Sequence, residues 1–461
     1  MLNFKKVDIK ELNKFSPYFK KRKTNICEIS IGFIAMWHNY INIYYAIYND
    51  TIVFKAEIGE GDLFSYPIGN DIDGMINELI IYVENNNIPL RFSGLNLDDI
   101  EYLNNKFKNN KYSYDFNFSD YVYSFNDHLN FKGKKFSGQR NHINKFIKTY
   151  GIPNIRLIND NDIDNIMQML DQYEIEHNIK SILEKKELEG TKKLILYKNP
   201  NLIYACLTLD NKIIAISIAE IINNMLIIHV EKALFGYSGL YPTMYNGFLK
   251  LINNLGKKIE YINREDDAGD IGIRTSKLQY HPIDRIHKYI IHINTPIDNI
   301  KDEIKVDDII LSKICENDID DYYNLNIDLE NNKYFGYDYR DDLYLVNPIT
   351  KNTFYDRMCF DYNIGDSISF GIRLNNKLIG ETIFWHFSYN NFVEIGIRLF
   401  KEYQGLGYSK LAFSAMKDYA ISLGLIPIAR CYKENIKSYN MIISSGFKEI
   451  RFDDTFYYFS I

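Results

Sequence analysis

Residues 394–413 read EIGIRLFKEYQGLGYSKLAF, and this stretch decides the fold of the C-terminal part of the chain. Apolar and polar residues alternate up to Leu399, which predicts a strand with one apolar face. From Ser409 onward apolar residues recur at helical spacing, so a glycine turn joins this strand to a helix N-terminus. Backbone N–H groups there lack intrahelical partners, and glycines let a ligand approach them closely. The turn therefore suits a pyrophosphate, although it can also be purely structural.

The composition of the whole chain restricts the class of protein. Its 461 residues predict roughly three domains, and 46% hydrophobic and 25% charged residues are typical of a soluble globular protein. A net charge of −6 means that any nucleic-acid binding must come from a local basic patch. No cysteine pair has metal-ligand spacing, which predicts free thiols and a cytoplasmic location for the protein. The five scattered cysteines are Cys27, Cys206, Cys315, Cys359 and Cys431.

No membrane span or signal peptide is predicted. The N-terminus lacks the apolar core of a signal peptide. The most apolar window, ISIGFIAMWHNYINIYYAIY from Ile29, is interrupted by polar residues and is rich in β-branched and aromatic residues. This composition favours buried strands over a membrane-spanning helix.

Periodicity alternates between strand-like and helical along the chain. We predict strands at 51–57, 121–125, 202–209, 213–221 and 225–230, and helices at 71–85 and 97–110. The polar, proline-containing run NTPIDNIKDEIKVDDI, from Asn294, is the best domain boundary. We therefore expect two units at 1–145 and 146–300 and a C-terminal domain at 305–461.

The turn and the residues after it resemble a known superfamily. Gln404, Gly407 and Ser409 fit the acyl-CoA motif Gln/Arg-x-x-Gly-x-Gly/Ala of the GNAT acetyltransferases, although serine is a departure in the last place. Asn435 precedes Gly446 by eleven residues. In GNAT proteins an asparagine at this place opens a helix beside the pantetheine arm, although asparagine is also a good N-cap. The C-terminal part looks closest to the ribosomal-protein N-terminal acetyltransferase branch.

This resemblance implies a cofactor site at the turn. Acetyl-CoA, or another acyl-CoA, is the expected cofactor. The residues expected to bind it are Ile397, Leu399, Gln404, Gly405, Leu406, Gly407, Tyr408, Ser409, Lys410 and Asn435.

Acyl transfer to an amine needs a base, and Glu394 is the candidate. It lies upstream of the turn and shares a strand face with Gly396, which is expected to leave room beside it. A carboxylate there could accept the proton directly or through one water. The alternative is a solvated or salt-bridged strand residue.

The leaving thiolate needs a proton donor. Many GNAT enzymes use a tyrosine seven residues after the asparagine, but that place is Ile442 here. In the branch that this part resembles, a serine at the position of Ser438 can donate the proton, so Ser438 and Asn435 complete the expected catalytic set. A thiol has a pKa near ~8.5, so the acid need not be strong. Ser438 can instead be an ordinary helix-face residue. A backbone N–H near Leu399 is expected to stabilise the oxyanion.

Three polar clusters occur in the first 300 residues. Residues 132–146 form a basic loop that enters a helix, and residues 229–233 end an apolar strand with two opposite charges. Buried charges need partners or line a cleft. Residues 261–282 contain several acids and arginines without the spacing of a calcium loop. We therefore expect no metal site, and an ion-pair network is the alternative to a functional site.

These clusters resemble the phosphatidylglycerol lysyltransferase C-terminal family, also called domain of unknown function 2156. Its relatives look like two fused GNAT-like folds and move an amino acid from an aminoacyl-tRNA to a lipid or peptide. Ser137 and Gln139 depart from the histidine and lysine of many members. Neither half shows the CoA glycine turn, and residues 133–138 come nearest to it. The matching residues are Arg140, Asn141, Glu231, Lys232, Asn263, Arg264, Glu265, Asp266, Arg274 and Lys277.

The sequence therefore predicts an α+β protein of three tandem GNAT-like units, each a mixed, mostly antiparallel sheet flanked by helices. The expected function is transfer of an acetyl or other acyl group from acyl-CoA to the amine of a small molecule or peptide. Two alternatives stay open. One is an aminoacyl-tRNA-dependent transferase centred on residues 1–290, and the other is a CoA-binding sensor without turnover.

Overall fold

The computed structural model describes residues 2–22, 24–38, 40–58, 61–295, 300–341 and 349–461. Three mixed, mostly antiparallel sheets flanked by helices make up the fold, which confirms the predicted α+β class and its GNAT-like units. No helix in these ranges is long and apolar enough to cross a membrane. Of the predicted linker from Asn294, residues 296–299 lie outside the described ranges.

The first part of the chain alternates short strands with two long helices. Its strands are β1 (Lys5–Lys6), β2 (Ile43–Tyr48), β3 (Thr51–Ile58), β4 (Gly61–Ser65), β5 (Ile68–Gly69), β6 (Arg91–Leu95) and β7 (Lys111–Tyr114). Its helices are α1 (Ser16–Phe19), α2 (Ile31–Trp37), α3 (Ile72–Asn86) and α4 (Leu97–Lys106).

The second part has its longest and most buried strands at its centre, residues 202–233. Its strands are β8 (Asp120–Ser124), β9 (Asn154–Leu157), β10 (Leu202–Leu209), β11 (Lys212–Ile222), β12 (Met225–Ala233), β13 (Tyr261–Asn263), β14 (Asp284–Ile286) and β15 (Tyr289–His292). The helices are α5 (Phe125–Asn130), α6 (Ser137–Tyr150), α7 (Ile163–Glu176), α8 (Ile182–Leu196), α9 (Leu240–Asn253) and α10 (Ile271–Leu278).

The third part has one continuous set of strands. They are β16 (Glu303–Val306), β17 (Ile309–Lys313), β18 (Ser367–Leu374), β19 (Lys377–Trp385), β20 (Phe392–Leu399), β21 (Ile426–Tyr432), β22 (Lys448–Phe452) and β23 (Phe456–Ser460). The helices are α11 (Ile319–Ile327), α12 (Leu329–Asn332), α13 (Thr353–Ile364), α14 (Tyr408–Ser422) and α15 (Ile436–Ser444).

All three sheets share one topology. Among the described residues each contains a single parallel pair, β4 with β6, β12 with β13, and β20 with β21, and its other neighbours are antiparallel. A helix crosses over between the members of each pair: α3, α9 and α14 respectively. Parallel neighbours require such a crossover, so each unit has one strand–turn–helix junction of the kind seen in the quoted stretch.

The first two units exchange a strand. β15 lies between β6 and β7 in the first sheet, and β8 lies between β13 and β14 in the second. The corresponding place in the third sheet, between β21 and β22, belongs to that unit's own β23. The predicted limits of the units stay predictions. The limit at 145/146 does not coincide with the division between the sheets, and residue 305 falls inside β16.

Because of this exchange, we predict that residues 1–145 alone do not fold. The fragment lacks the strand that joins β6 to β7, and its own β8 lacks both partners. Residues 300–461 contain a complete sheet and should give a cooperative thermal transition by circular dichroism. A sharp transition for residues 1–145 would contradict this reading of the topology.

The apolar window from Ile29 folds differently from its prediction. Residues 31–37 form helix α2, and a strand begins only at Ile43. Ser30 caps the helix by accepting from the Phe33 N–H, and Gly32 lies against the buried His229 ring. Tertiary packing therefore outweighs the strand preference of the β-branched residues here. The helix predicted at 97–110 also ends earlier, at Lys106, because β7 begins at Lys111.

The third unit is docked onto the first. His292 Nδ1 lies 2.7 Å from the carbonyl oxygen of Gly365, at the end of α13. Asn390 Nδ2 donates to the carbonyl oxygen of Glu84 over 2.7 Å, and Arg91 forms an ion pair with Asp366. Strand β15, which the first two units exchange, thus also contacts the third.

Candidate active site

The parallel pair of the third sheet opens into a wedge. Strands β20 and β21 pair only from Phe392 to Glu394, with Ile428 opposite Glu394. Beyond that position β20 stays paired with β19 as far as Leu399, and β21 stays paired with β23 as far as Tyr432. The two halves of the sheet therefore separate, and Glu394 lies at the vertex of the opening.

The glycine turn lies at the end of the strand that forms one side of this wedge. Gly405 and Gly407 have φ of +77° and +91°, and a Cβ on either would meet no atom within 4 Å. Within the part of the chain that the structure describes, no acceptor receives the backbone N–H groups of residues 405–409. Five successive N–H groups at a helix N-terminus form an anion-binding concavity.

Gln404 holds the turn in place. Its Nε2 donates to the carbonyl oxygen of Leu399 over 3.0 Å and to Asn331 Oδ1 over 3.1 Å. The side chain thus ties the turn to the strand end and to α12. A ligand contact by Gln404 stays a prediction, whereas positioning of the turn follows from these bonds.

A groove of about 770 Å³ begins at Gly407 and follows α14 toward β16. Leu411, Ala415 and Tyr419 line its apolar side. Lys410, one of the predicted cofactor contacts, adds positive charge next to the turn, whereas Lys301 lies at the far end of the groove, with its Nζ 5.7 Å from the Tyr419 ring centre. The surroundings of the turn thus favour an anion that is attached to an apolar or aromatic group.

Glu394 is held in an ion pair. Its Oε1 lies 2.9 Å from Arg430 Nε, and the side chains of Glu394 and Arg430 are 13% and 22% exposed. The predicted space beside Gly396 is filled, because a Cβ there would meet Ile383 at 2.8 Å and Phe335 at 3.3 Å. Gly396 therefore lets Phe335 pack against the strand. The salt-bridged alternative for Glu394 is what the structure shows, and its role as a base stays a prediction.

The predicted acid and its neighbour lie at the start of α15. Asn435 is the N-cap, and its Oδ1 accepts from the Ser438 N–H over 3.2 Å. Its Nδ2 is not used by this cap. Ile442 is 2% exposed and belongs to the core, so it offers no acid at the tyrosine position of the family. A catalytic role for Asn435 or Ser438 stays a prediction.

A buried polar network lies on the face of β20 that also carries Glu394. Arg398 donates to Glu381 Oε2 over 2.6 and 2.8 Å and also to Asn326 and Asn332 of the α11–α12 region. Tyr322 donates to the other Glu381 oxygen. None of these five is among the residues predicted from the sequence. The sequence feature that could have predicted this network is Arg398 itself, because an arginine on a strand with buried neighbours needs polar partners.

In the other two units, side-chain oxygens accept from some of the N–H groups of the corresponding turns. In the turn before α9 the Phe235 N–H donates to Glu176 Oε2 over 2.8 Å, and the Ser238 N–H donates to the Tyr150 hydroxyl over 3.4 Å. At the N-terminus of α3 the Asp71 carboxylate accepts from the Gly74 N–H. The second unit thus has a glycine turn that was not predicted, with Gly236 and Gly239 at positive φ. Residues 133–138, the predicted nearest equivalent, lie on another connection.

The wedge of the second unit is filled by an ion pair. Strand β12 pairs with β13 only as far as Asn263, and Arg264 then donates to Glu231 Oε2 over 2.7 and 2.9 Å. Its guanidinium lies 4.5 Å from the Tyr245 ring centre and 4.6 Å from that of Tyr280. Burial lowers the pKa of Arg264, but the charge of Glu231 outweighs it and the pKa is raised. The second and third polar clusters therefore meet here.

His229 bridges two carboxylates beneath this pair. Its Nδ1 lies 2.7 Å from Glu265 Oε1 and its Nε2 lies 3.1 Å from Glu220 Oε1. Burial lowers the pKa of His229, but the hydrogen bonds and charges of the two carboxylates outweigh it and raise the pKa to about 9. His229 is therefore an imidazolium at neutral pH.

This pKa predicts a pH dependence of stability. A histidine pKa raised from about 6.5 stabilises the fold fully below pH 6.5, and the contribution is lost as the pH rises through about 9. We expect His229→Gln to lower the free energy of unfolding by roughly 3 kcal/mol more at pH 6 than at pH 9.5, measured by urea denaturation. The exposed His142→Gln is the control. An equal cost at both pH values would contradict the assignment.

Other predicted residues of this region form local ion pairs and caps. Lys277 Nζ donates to the carbonyl oxygens of Arg264 and Glu265 over 2.6 and 3.2 Å, and burial lowers its pKa. Arg274 donates to the Asp267 carboxylate over 2.7 and 2.9 Å. The ion-pair network is therefore present, with Glu231 and Asp267 as the carboxylates.

A lysine occupies the centre of an acidic group at the boundary of the first two units. Lys288 Nζ lies 2.5 Å from Glu28, 2.7 Å from Asp120 and 2.9 Å from Asp266. Cys27, Glu28 and Asp266 are close enough together to hold a metal ion. The ammonium of Lys288 supplies the positive charge there. Asn263 Nδ2 donates to Asp120 over 2.8 Å and so belongs to the same group.

Three predicted residues lie apart from this region. Arg140 Nη1 donates to the carbonyl oxygens of Phe131 and Gly133, so it closes its own loop. Asn141 is exposed on α6. Lys232 points to the face of β12 opposite Glu231 and forms an ion pair with Glu187 over 2.7 Å.

Comparisons with known proteins match both parts of the chain. Residues 19–292 match the family described as phosphatidylglycerol lysyltransferase, C-terminal, and residues 308–448 match the acetyltransferase (GNAT) domain. The C-terminal part is therefore a GNAT acetyltransferase domain, and such domains support acyl transfer from CoA in general. None of the curated proteins matches this chain.

Three solved structures illustrate these similarities. A conserved protein of unknown function from Bacteroides thetaiotaomicron is 25% identical to this chain. The match covers 64% of this chain and 100% of the Bacteroides protein, with a TM-score of 0.58. L-PGS from Bacillus licheniformis is 12% identical over 63% of this chain and 92% of its own, with a TM-score of 0.46. Spermidine N-acetyltransferase from Vibrio cholerae is 16% identical over 34% of this chain and 95% of its own, with a TM-score of 0.30.

Proposed function

Because the chain belongs to the phosphatidylglycerol lysyltransferase C-terminal family and carries a GNAT domain after it, we propose that it is an N-acyltransferase whose acyl transfer takes place in the third unit. The donor is acetyl-CoA or another acyl-CoA, and the acceptor is an amine of a small molecule or peptide. One observation carries this proposal. Among the described residues, the junction at 405–409 presents five consecutive N–H groups that no acceptor receives, whereas side-chain oxygens interrupt such a run at the other two junctions.

The residues of the third unit fit an acyl-CoA. The N–H groups of residues 405–409 would hold its diphosphate, and Lys410 adds positive charge beside them. From Glu394 to Leu399 the wedge is about 17 Å long, at ~3.4 Å per strand residue. That length suits an extended pantetheine arm, for which Ile397, Leu399 and Asn435 are the proposed contacts. When bound, acyl-CoA supplies the acyl group as a thioester.

Glu394 lies where the amine must lose its proton. The vertex of the wedge is the place at which the thioester end of the cofactor meets the acceptor side of the sheet. As the amine nitrogen bonds to the acyl carbon and the carbon–sulfur bond breaks, Glu394 takes the proton from nitrogen. The electron pair leaves on sulfur, which receives a proton through the Ser438 hydroxyl. A backbone N–H near Leu399 stabilises the oxyanion.

An acetylation assay tests the proposed function. The protein is incubated with radiolabelled acetyl-CoA and a panel of amines and short peptides, and labelled product is separated from hydrolysed acetate. Amine-dependent product supports the proposal. Binding of acetyl-CoA without any product would favour the alternative of a sensor that does not turn over.

A second candidate function concerns residues 1–290. Arg264 Nη1 and Ser217 Oγ are buried in the second unit without a hydrogen-bond partner among the described residues, which supports a polar ligand there. Transfer from an aminoacyl-tRNA would also need a basic surface, for which Lys132, Lys134 and Lys135 are the candidates. A salt-sensitive gel shift of charged tRNA, lost when these three lysines become glutamine, would support this function.

A further inference from the structure

Arg430 occupies an unusual place at the vertex of the wedge. Its guanidinium lies 5.1 Å from the ring centre of Trp385 and 5.1 Å from that of Phe456, and its Nε lies 2.9 Å from Glu394. Two aromatic rings and a carboxylate are the groups that ordinarily bind a cationic ligand. In this protein an arginine of the same chain takes that position.

These residues share the face of the sheet from which an acceptor must approach. Trp385 lies opposite Glu394 in the β19–β20 register, and Arg430 lies opposite Tyr458 in the β21–β23 register. The other face of β20 packs against α14, with Val393 in the same core cluster. An amine that reaches Glu394 therefore arrives on the side of Arg430.

Arg430 makes this side unfavourable for a cation and favourable for an anion. A cationic acceptor would have to displace a covalently attached guanidinium from its aromatic rings. An anionic group instead meets a side chain that is still 22% exposed. Asp453, the nearby acid, already accepts from the Tyr458 hydroxyl and from two backbone N–H groups.

We propose that Arg430 selects acceptor amines that carry a carboxylate or phosphate close to the reacting nitrogen, and that this anion takes Arg430 from Glu394. This inference rests on the proposed acyl transfer. In the resting protein the ion pair holds Glu394 in place and engages its Oε1. An anionic acceptor competes for the guanidinium, so the same contact that binds the substrate frees the carboxylate to accept the proton.

Matched pairs of amines test this selection. L-phenylalanine and L-phenylalaninamide differ in a carboxylate, whereas O-phosphoethanolamine and ethanolamine differ in a phosphate. In the wild-type protein we expect kcat/KM, corrected for the fraction of unprotonated amine, to be at least about tenfold higher for the anionic member of one pair. Which pair shows this preference distinguishes a carboxylate acceptor from a phosphate acceptor.

Two variants separate recognition from structure. Arg430→Gln should reduce the anionic preference about tenfold or more, and it should raise turnover of the neutral amine because the guanidinium no longer engages Glu394. Arg451→Gln is the matched control, since Arg451 is exposed and lies over the Tyr458 ring at 3.7 Å on the same edge. A purely structural role of Arg430 would lower both rates equally.

The proposal is overturned if the wild-type protein acetylates neither anionic amine faster than its neutral partner. It is also overturned if Arg430→Gln changes both members of a pair by the same factor. Calorimetric titration of acetyl-CoA into the wild type and both variants distinguishes failure of this selection from failure of the proposed function. If the wild-type protein does not bind acetyl-CoA, the proposed function itself is contradicted.

Discussion

Substitution of Gly407 by tryptophan is expected to weaken acetyl-CoA binding about 100-fold or more and to abolish acetyl transfer. Gly407 is the N-cap of α14, and the space beside it is empty, so the indole would fill the volume in which the diphosphate binds. Loss of two or more charge-assisted hydrogen bonds, each contributing about 1.5–3 kcal/mol, accounts for an effect of this size.

The matched control is Gly424→Trp. Gly424 follows the C-terminal end of the same helix, is exposed, has φ of +75° and likewise has no atom within 4 Å of a Cβ. Both variants carry the same backbone strain, which costs about 1–3 kcal/mol, so their thermal stabilities should fall alike. Equal acetyl-CoA affinity in the two variants would show that the turn does not bind the diphosphate.

The second large effect is expected for Glu394→Gln. Loss of a general base costs about 10²–10⁴-fold in rate, and we expect kcat to fall by that factor while acetyl-CoA affinity stays within about twofold. The amide keeps the shape of the side chain but cannot take the proton. The measurement is the initial rate with the best amine at saturating acetyl-CoA.

Glu449→Gln is the control for this variant. Glu449 lies on β22 and accepts from the Tyr439 hydroxyl over 2.9 Å, away from the wedge. Its replacement should leave kcat unchanged. If Glu394→Gln retains the wild-type rate, the ion pair with Arg430 is structural and another group, or water, accepts the proton.

Local features of the C-terminal unit could be predicted from the sequence because each is encoded within a few neighbouring residues. The strand that ends at Leu399, the turn and the cap by Asn435 depend on periodicity and on residue types that suit helix termini. The Asn375-Asn376 turn between β18 and β19 is also encoded locally, because asparagine tolerates the positive φ that both residues have.

Features that depend on contacts distant in sequence could not be predicted. The exchange of β8 and β15 depends on pairing between segments more than 100 residues apart, such as His292 with Arg91. The ion pair of Glu394 with Arg430 and the carboxylate of Glu176 on the second turn likewise join separate elements. Periodicity identifies a strand and its buried face, but it does not identify the neighbour of that strand.

The most direct test of the central claim is the stoichiometry of acetyl-CoA binding, measured by isothermal titration calorimetry of the full chain. We expect one molecule per chain, because the turn at residues 405–409 offers five consecutive N–H groups without a described acceptor, whereas side-chain oxygens accept from part of the other two turns. The Gly407→Trp variant should show no binding heat. Two molecules per chain, or none, would contradict the account.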